Sequence, residues 1–192
     1  MTNETVAKDP RDEIVEHLPA LRAFAVSLTR NSSQADDLVQ DTIVKAWKNF
    51  DKFQQGTNLR AWLFTILRNT FYSAKRKSRR EVADSDGLLA STLAEKPHHD
   101  GRLAMVDFEK AFATLPTEQR EALILVGASG FSYEEAAETC SVAVGTIKSR
   151  VNRGRARLAE LLDIGPDQTM ELTDAPTVAV VASSMQPRRG IA

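Results

Sequence analysis

The sequence predicts an all-helical protein made of two small domains that a linker joins. Apolar residues recur at three- and four-residue spacing along most of the chain, and alternation with a period of two is confined to an ambiguous stretch at 177–182. The chain has 192 residues and is 42% hydrophobic, so it can bury a core. The helical period fades in one segment of linker composition. The expected order is a first domain at 11–80, a linker at 81–103, a second domain at 104–164 and a tail at 165–192, for which we favour disorder.

Three helices are expected in the first domain. The first has an apolar stripe interrupted by Pro19, which sits in a first turn or forces a kink; the stripe is Ile14, Leu18, Leu21, Ala25 and Leu28. Ser33 followed by Asp36 resembles a capping box that begins the second helix. The third helix runs from about Leu59 to Lys77. The second helix has the apolar arc Ala35, Val39, Ile43, Ala46, Trp47 and Phe50.

The opposite face of the second helix is polar with one aliphatic residue. This face is either ordinary solvated surface or an interface with a large protein partner. Its residues are Asp37, Gln40, Asp41, Val44 and Lys48.

The region from Lys52 to Arg80 contains no acidic residue, and it mixes aromatic with basic side chains. Trp62 is expected to be mainly structural. Phe53 lies in a predicted loop, and Phe64 falls off the apolar face of its helix, as does Asn69. Exposed aromatic rings beside cations suit the unstacked bases of single-stranded DNA. This region therefore predicts a surface for melted DNA.

The second domain contains a predicted helix-turn-helix. Ser132 and Glu135 form a capping box, a short turn follows around Cys140, and a second helix begins near Val144. At 100° per residue its apolar arc is Val144, Ile147, Val151, Leu158 and Leu162, and its opposite face is Gly145, Thr146, Ser149, Asn152 and Arg153. The cations Lys148, Arg150, Arg155 and Arg157 flank the apolar arc. This pattern suits the major groove, because the flanking cations can bind phosphates and the residues of the opposite face can contact base edges.

The composition argues against several other classes of protein. One cysteine excludes an internal disulfide, and neither a leader nor an apolar run of eighteen residues is seen, so we expect a soluble cytoplasmic protein without a membrane partner. His17, His98 and His99 stand at no spacing to Cys140 that suits a metal or a nucleophile. We therefore expect no metal, no cofactor, no small-molecule substrate and no catalysis, with Cys140 a small packed residue.

The motifs resemble the extracytoplasmic-function (ECF) sigma factors of bacterial RNA polymerase. The segment DLVQDTIVKAW from Asp37 is similar to the family's polymerase-binding segment, and LRAWLFTILRN from Leu59 to its promoter-melting helix. GTIKSRVNRGRARL from Gly145 resembles its upstream-element reader. Leu115-Pro with Arg120, followed by GFSYEEAA from Gly130, completes the pattern. The resemblance covers about residues 11–162.

The resemblance implies partners and roles for particular residues. Core polymerase, through its large-subunit coiled coil and flap, would be one partner, and the coiled coil would bind Asp37, Leu38, Gln40 and Asp41. Promoter DNA would be another, as a melted strand at the minus 10 element near Lys45, Phe53, Arg60, Phe64, Arg68, Asn69, Lys75 and Arg76. Paired DNA at the minus 35 element would be bound by Thr146, Lys148, Ser149, Arg150, Asn152, Arg153, Arg155 and Arg157, with the arginines at 150, 155 and 157 on phosphates.

Three further segments resemble the general-stress subgroup of alphaproteobacterial sigma factors. They are RDEI from Arg11, LPALRAFA from Leu18 and NSSQADDLVQD from Asn31. The subgroup implies inhibition by a small helical anti-sigma protein, which a response regulator with a sigma-like domain would release.

Two other functions compete with a promoter-specificity subunit. A sigma-like decoy that titrates an anti-sigma protein would share the interface helices, but it has no reason to keep acid-free stretches at 52–80 and 139–159. An ordinary helix-turn-helix regulator would carry a dimerisation or ligand domain in place of the aromatic and basic helix.

Overall fold

A computed structural model describes residues 10–54, 56–84 and 100–164, and all regular structure in these ranges is helical. This confirms the predicted all-α class. The segment 177–182, the tail, and His98 and His99 lie outside the described residues. The helices are α1 (Pro10–Thr29), α2 (Ser32–Lys48), α3 (Leu59–Asp84), α4 (Asp100–Thr114), α5 (Thr117–Leu123), α6 (Tyr133–Cys140) and α7 (Val144–Leu161). Short 3-10 and π-helical segments lie at Phe50–Lys52 and Ile124–Ala128.

In the first domain, α1 packs against α2 and α3 around a core that includes Leu21, Phe24, Leu63 and Leu67, all fully buried. Pro19 lies inside α1 and not in its first turn. The N-cap of the second helix lies two residues before Ser33, where the capping box was expected. Asn31 is its N-cap, and the Asn31 side chain accepts a hydrogen bond from the Gln34 backbone N–H at 2.9 Å.

The buried stripe of α2 differs from the predicted apolar arc. Trp47 belongs to the predicted apolar arc and is 56% exposed, whereas Leu38, which the family resemblance assigns to polymerase binding, is only 7% exposed. The buried residues are Ala35, Leu38, Thr42 and Ala46. Their side chains are mostly small, and they follow the three- and four-residue spacing that lets α2 pack closely on both α1 and α3. The bulky Trp47 is left on the surface.

Both helices beside the linker are longer than predicted. Helix α3 continues to Asp84, and α4 already begins at Asp100. The residues at 78–84 contain no glycine or proline, so nothing local ends the helix at Lys77. Each helix therefore extends four residues into the segment 81–103 that we assigned to the linker, α3 at 81–84 and α4 at 100–103.

The second domain contains the predicted helix-turn-helix. The Ser132 hydroxyl accepts from the Glu135 backbone N–H at 3.0 Å, and the Glu135 carboxylate accepts from the Ser132 backbone N–H at 2.8 Å. Helix α6 ends at a left-handed Ser141, with φ of 54°, and α7 follows after three residues. The sequence pattern of cap, turn and second helix is thus confirmed by the structure.

The two domains lie in contact. Helix α3 of the first domain packs on α6 of the second, and α1 packs on α5. Contact with the second domain therefore buries side chains of the first domain that would otherwise face solvent.

Candidate nucleic-acid interface

Helix α7 presents the two faces that its sequence predicts. Ile147, Val151 and Leu158 are fully buried, and Val144 and Leu162 are half-buried. On the opposite side Thr146, Asn152 and Arg153 are exposed, and Ser149 is half-buried. The described residues therefore leave the outer face of α7 exposed.

The cations on the rims of α7 differ in their environment. Lys148 and Arg157 are exposed; Lys148 Nζ lies 5.7 Å from the Tyr133 ring centre, and Arg157 pairs with Glu160 at 2.7 Å. Arg150 and Arg155 are half-buried, and Arg150 Nη1 and Arg155 Nε have no hydrogen-bond partner within the described ranges. Both atoms are buried, so these two donors would reach an anion only if the side chains moved.

A cavity of about 440 Å³ opens on the first domain between α2 and α3. Its volume is within the range of small-molecule pockets, roughly 300–1,000 Å³. Lys45 Nζ donates to Thr70 Oγ1 at 3.1 Å on its wall. The cavity brings together the predicted residues Lys45 and Asn69 with residues that the motif analysis did not single out for this role, and its full lining is Lys45, Asn49, Lys52, Trp62, Ile66, Asn69, Thr70 and Ser73.

Phe53 does not offer a free ring face, contrary to our expectation for a loop aromatic. It is 9% exposed and packs against Trp62, with ring centres 5.3 Å apart, and against Phe50 at 5.6 Å. The 3-10 turn at Phe50–Lys52 folds the loop back onto α3. Packing of the three rings against one another stabilises the loop that borders the cavity.

Phe64 is also buried, and its expected exposure is wrong. The ring lies between Phe24 of its own domain and Phe131 of the second domain, with centres 5.0 Å apart in both pairs. It falls off the main apolar face of α3 because that helix packs on two sides, against the first domain's core and against α6.

Arg60 and Arg68 face the second domain as well. Arg68 Nε donates to Glu121 Oε1 at 2.6 Å, and Glu121 is fully buried. The Arg60 guanidinium lies 5.3 Å from the Phe131 ring centre. Lys75 and Arg76, further along α3, are exposed. Only part of the predicted minus 10 set is therefore accessible in this arrangement.

The electrostatics at the domain contact follow from burial. Burial raises the pKa of the Glu121 carboxyl, and the Arg68 cation opposes this shift. Tyr72, whose hydroxyl lies 3.4 Å from Glu121 Oε2, also has a raised pKa because it is buried. Burial raises the pKa of the Cys140 thiol to about 12, and Cys140 is 2% exposed. Cys140 is thus a packed, protonated thiol.

The outer face of α2 mixes polar and apolar side chains. Asp37, Gln40 and Asp41 are exposed as predicted, next to Val44 at 46% exposure and Trp47 at 56%. Leu38 lies beneath them in the core. Exposed large apolar side chains flanked by polar ones are typical of a protein interface. The sequence does not identify Trp47 as an exposed interface residue, because its position also fits the predicted apolar arc of α2.

Sequence reasoning gave no role to Glu121. It also gave none to Asn58, whose amide donates to Glu135 at 2.9 Å, or to Gly154, which lies against Leu123. It placed Arg120, whose Nε donates to the Ser27 carbonyl at 2.7 Å, only within a motif. Glu121 could have been noticed as a carboxylate beside the apolar run Ala122 to Val126. The other residues carry no such signal, because their partners come from distant parts of the chain.

The described ranges contain neither a metal site nor a membrane-spanning helix. No group of three His, Cys, Asp or Glu side chains there could hold a metal ion. None of the described helices is long and apolar enough to cross a membrane.

Two family models and several known proteins match this chain. The model of sigma-70 region 2 matches residues 14–81, and that of sigma-70 region 4 matches residues 105–158. The ECF RNA polymerase sigma factor EcfG of Rhodopseudomonas palustris is 57% identical over 166 residues, which cover 83% of this chain and 92% of that protein. The chain belongs to the sigma-70 family. It is an ECF sigma factor that directs core RNA polymerase to promoter DNA.

Two solved sigma factors share the arrangement of the helices. RpoE of Bartonella quintana, in complex with the anti-sigma factor NepR, is 56% identical with a TM-score of 0.75, over 84% of this chain and 100% of that one. CnrH, in complex with the cytosolic domain of CnrY, is 28% identical with a TM-score of 0.55, over 81% and 90% of the two chains. In this sigma factor, the first domain corresponds to region 2 and the second to region 4.

Proposed function

We propose that α7 reads the minus 35 element and that the cavity between α2 and α3 holds a base of the melted minus 10 element. The observation that carries the first assignment is the open outer face of α7. Thr146, Ser149, Asn152 and Arg153 would meet base edges. Lys148, Arg150, Arg155 and Arg157 would meet phosphates, which fix the register of the helix on the duplex.

The minus 10 assignment rests on the lining of the cavity. Lys45 and Asn69 offer hydrogen-bond donors to a base or a phosphate, and the half-buried Trp62 supplies an apolar wall. Lys75 and Arg76 continue the cationic surface along α3. Phe53 and Phe64 support this surface from the core, and Arg60 and Arg68 can reach DNA only if region 4 moves away.

The experiment is transcription in vitro with core polymerase on a library of promoter sequences, with and without the chain. We expect initiation only when the chain is added, from templates that share two short elements at a fixed spacing. A chain that binds an anti-sigma protein but never supports initiation would be the sigma-like decoy.

The outer face of α2 is the proposed site for core polymerase. Trp47→Ala is expected to weaken binding to immobilised core polymerase, because a ring that is 56% exposed can bury area only against a partner. Val15→Ala is the control, because Val15 is an exposed apolar residue, at 65%, that belongs to α1 and not to α2. Equal binding by both variants would contradict the assignment.

We also propose that the sigma factor serves the general stress response in the cytoplasm and is inhibited by an anti-sigma protein. The similarity to EcfG and to the RpoE–NepR complex supports this. The test is titration of the transcription reaction with a small helical anti-sigma protein from the same genome. Loss of initiation at equimolar inhibitor is expected, and undiminished initiation would refute this regulation.

A further inference from the structure

The cavity between α2 and α3 has two lysines on its wall, and a neutral side chain holds each of them. Lys45 Nζ donates to Thr70 Oγ1 at 3.1 Å, and Lys52 Nζ donates to Asn49 Oδ1 at 2.8 Å. Neither lysine pairs with a carboxylate in the part of the chain that the structure describes. Within these residues, the charge of the two ammonium groups is left for a ligand.

Asn49 connects the two lysines. It is the C-cap of α2, and its side-chain Nδ2 donates to the Lys45 carbonyl at 2.8 Å. The 3-10 turn Phe50–Lys52 returns the chain to this cap, where the Lys52 backbone N–H donates to the Asn49 carbonyl at 2.9 Å. Because the amide nitrogen of Asn49 is bonded to the end of the helix, its amide oxygen is left to accept from Lys52.

Thr70 holds the other lysine from the opposite side of the cavity. Thr70 belongs to α3 and is 6% exposed, whereas Lys45 is an exposed residue of α2. Ordering a free lysine side chain costs conformational entropy, and a lysine that is already held in the free protein avoids part of that cost when a ligand binds. The Thr70 hydroxyl therefore preorganises Lys45 for a ligand in the cavity.

The cavity is rich in hydrogen-bond donors. An ammonium group has three donors and no acceptor, so Lys45 and Lys52 each have two donors left. The Ser73 hydroxyl oxygen on the same wall already accepts from Arg76 at 3.0 Å. No carboxylate belongs to the lining formed by the described residues. The cavity therefore suits a group that presents acceptors.

The apolar part of the lining favours a base over a phosphate. Trp62 and Ile66 line the same cavity, and the Trp62 ring centre lies 5.3 Å from that of Phe53 and 6.0 Å from that of Phe50. A cavity of about 440 Å³ with an aromatic wall accommodates a planar ring, whereas a phosphate would leave that wall in water. The acceptor that fits both parts of the lining is an oxygen on a planar base.

The four bases differ in the acceptors that they present. Guanine, cytosine and thymine each carry a carbonyl oxygen, and lysine commonly donates to such an oxygen at guanine O6. Adenine has no carbonyl oxygen and presents an amino donor beside its ring nitrogens. An ammonium group cannot accept from that amino group. Two ammonium groups on the wall therefore disfavour adenine.

We propose that Thr70 and Asn49 are positioning residues, which hold Lys45 and Lys52 so that their ammonium groups donate to the carbonyl oxygen of the base in this cavity. The cavity then favours guanine, cytosine or thymine over adenine. This proposal rests on the assignment of the cavity to a base of the minus 10 element. It adds the base preference and the two residues that create it.

The first test uses the full chain bound to core polymerase and a fluorescent single-stranded oligonucleotide that carries the minus 10 element selected from the promoter library. Replacing each nucleotide in turn by an abasic one removes the base and keeps its phosphate, and the largest loss of affinity identifies the base in the cavity. Thr70→Val is expected to weaken binding of the intact oligonucleotide about three- to tenfold, the effect of one lost hydrogen bond. It should leave binding of the abasic oligonucleotide unchanged.

Two threonine variants separate positioning from packing. Thr70→Ser keeps the hydroxyl and should restore binding of the intact oligonucleotide. Thr65→Val is the matched control, because it makes the same change on the same helix at a residue outside the lining, whose hydroxyl donates to the Ala61 carbonyl at 2.9 Å. It should bind both oligonucleotides as the unmodified chain does.

Asn49→Ala is the second positioning variant, and it covers the case in which Thr70→Val fails to fold. Asn49 is half-buried at the end of α2 and lies outside the core. Loss of its oxygen releases Lys52, so this variant should also bind the intact oligonucleotide more weakly and the abasic one equally well.

The second test measures base preference by placing each of the four bases at the identified position. The unmodified chain should bind adenine at least about threefold more weakly than the best of the other three bases, because adenine lacks the acceptor that the lysines use. Thr70→Val and Asn49→Ala should both reduce this difference. A structural role for the two residues would lower affinity for all four bases by the same factor.

The proposal is overturned if both positioning variants weaken binding of the intact and abasic oligonucleotides equally, which would assign the lysines to a phosphate. Adenine bound as tightly as the other bases would also overturn it. The assignment of the cavity to a base has a separate readout, since it fails if no abasic replacement weakens binding by the unmodified chain.

Discussion

Gly154 of α7 sets the distance between α7 and α5, which carries Leu123. A Cβ added at Gly154 would lie 2.7 Å from Leu123 Cδ1 and 3.2 Å from Leu123 Cγ. Carbon atoms in good contact are about 3.5–4.0 Å apart, so the new methyl group overlaps Leu123 by about 1 Å. Leu123 is 2% exposed and has little room to move away.

The expected effect of Gly154→Ala is the difference between two opposing effects. Overpacking in a well-filled core costs about 1–3 kcal/mol. Replacing glycine by alanine inside a helix returns about 0.5–1 kcal/mol. We therefore expect a net loss of roughly 1 kcal/mol in the free energy of unfolding.

Gly145→Ala is the control, because it makes the same change in the same helix at an exposed position with nothing within 4 Å of the new Cβ. It should leave stability unchanged or raise it by up to about 1 kcal/mol. Urea unfolding is followed by circular dichroism, since Trp47 and Trp62 are both in region 2 and their fluorescence would not report on region 4. If Gly154→Ala stabilises as much as Gly145→Ala, the close approach of α5 and α7 is wrong.

Three further variants test the DNA surfaces and the helix-turn-helix. Arg153→Ala should weaken promoter use by roughly 1–3 kcal/mol and relax sequence choice at one or two upstream positions; transcription from a promoter library measures both, and unchanged selectivity would remove its base-reading role. Asn69→Ala should impair strand opening, followed by permanganate footprinting, more than duplex binding, whereas equal losses would indicate misfolding. Ser132→Ala should lower the unfolding free energy by about 1 kcal/mol, while Ser132→Thr keeps the cap and most of the stability; no difference between the two would show that the capping box contributes little.

Local patterns in the sequence were sufficient for the helix-turn-helix. The capping box at Ser132 and the faces of α7 depend on residues three or four positions apart, and such residues are neighbours in any helix. The all-α class follows from the same periodicity. The family resemblance, carried by three separate motifs, was confirmed by the comparisons.

The environment of the aromatic and basic residues of α3 could not be predicted in this way. Phe64 and Arg68 lie off the main apolar stripe, and that position indicates exposure only if nothing else packs on the helix. In this protein Phe131 and Glu121 come from a domain more than fifty residues away in sequence, and they cover that second side. The exposure of Trp47 has the same origin, because the close packing of α2 on α1 and α3 selected the small residues for burial.

The sequence by itself determined which residues share a helix face and which chemistry each face carries, because both depend on spacing along one helix. Only the tertiary structure decided which faces meet solvent, which meet the other domain, and which carboxylate meets which arginine. Those contacts join residues that are distant along the chain, and their energy depends on how two separate surfaces fit together.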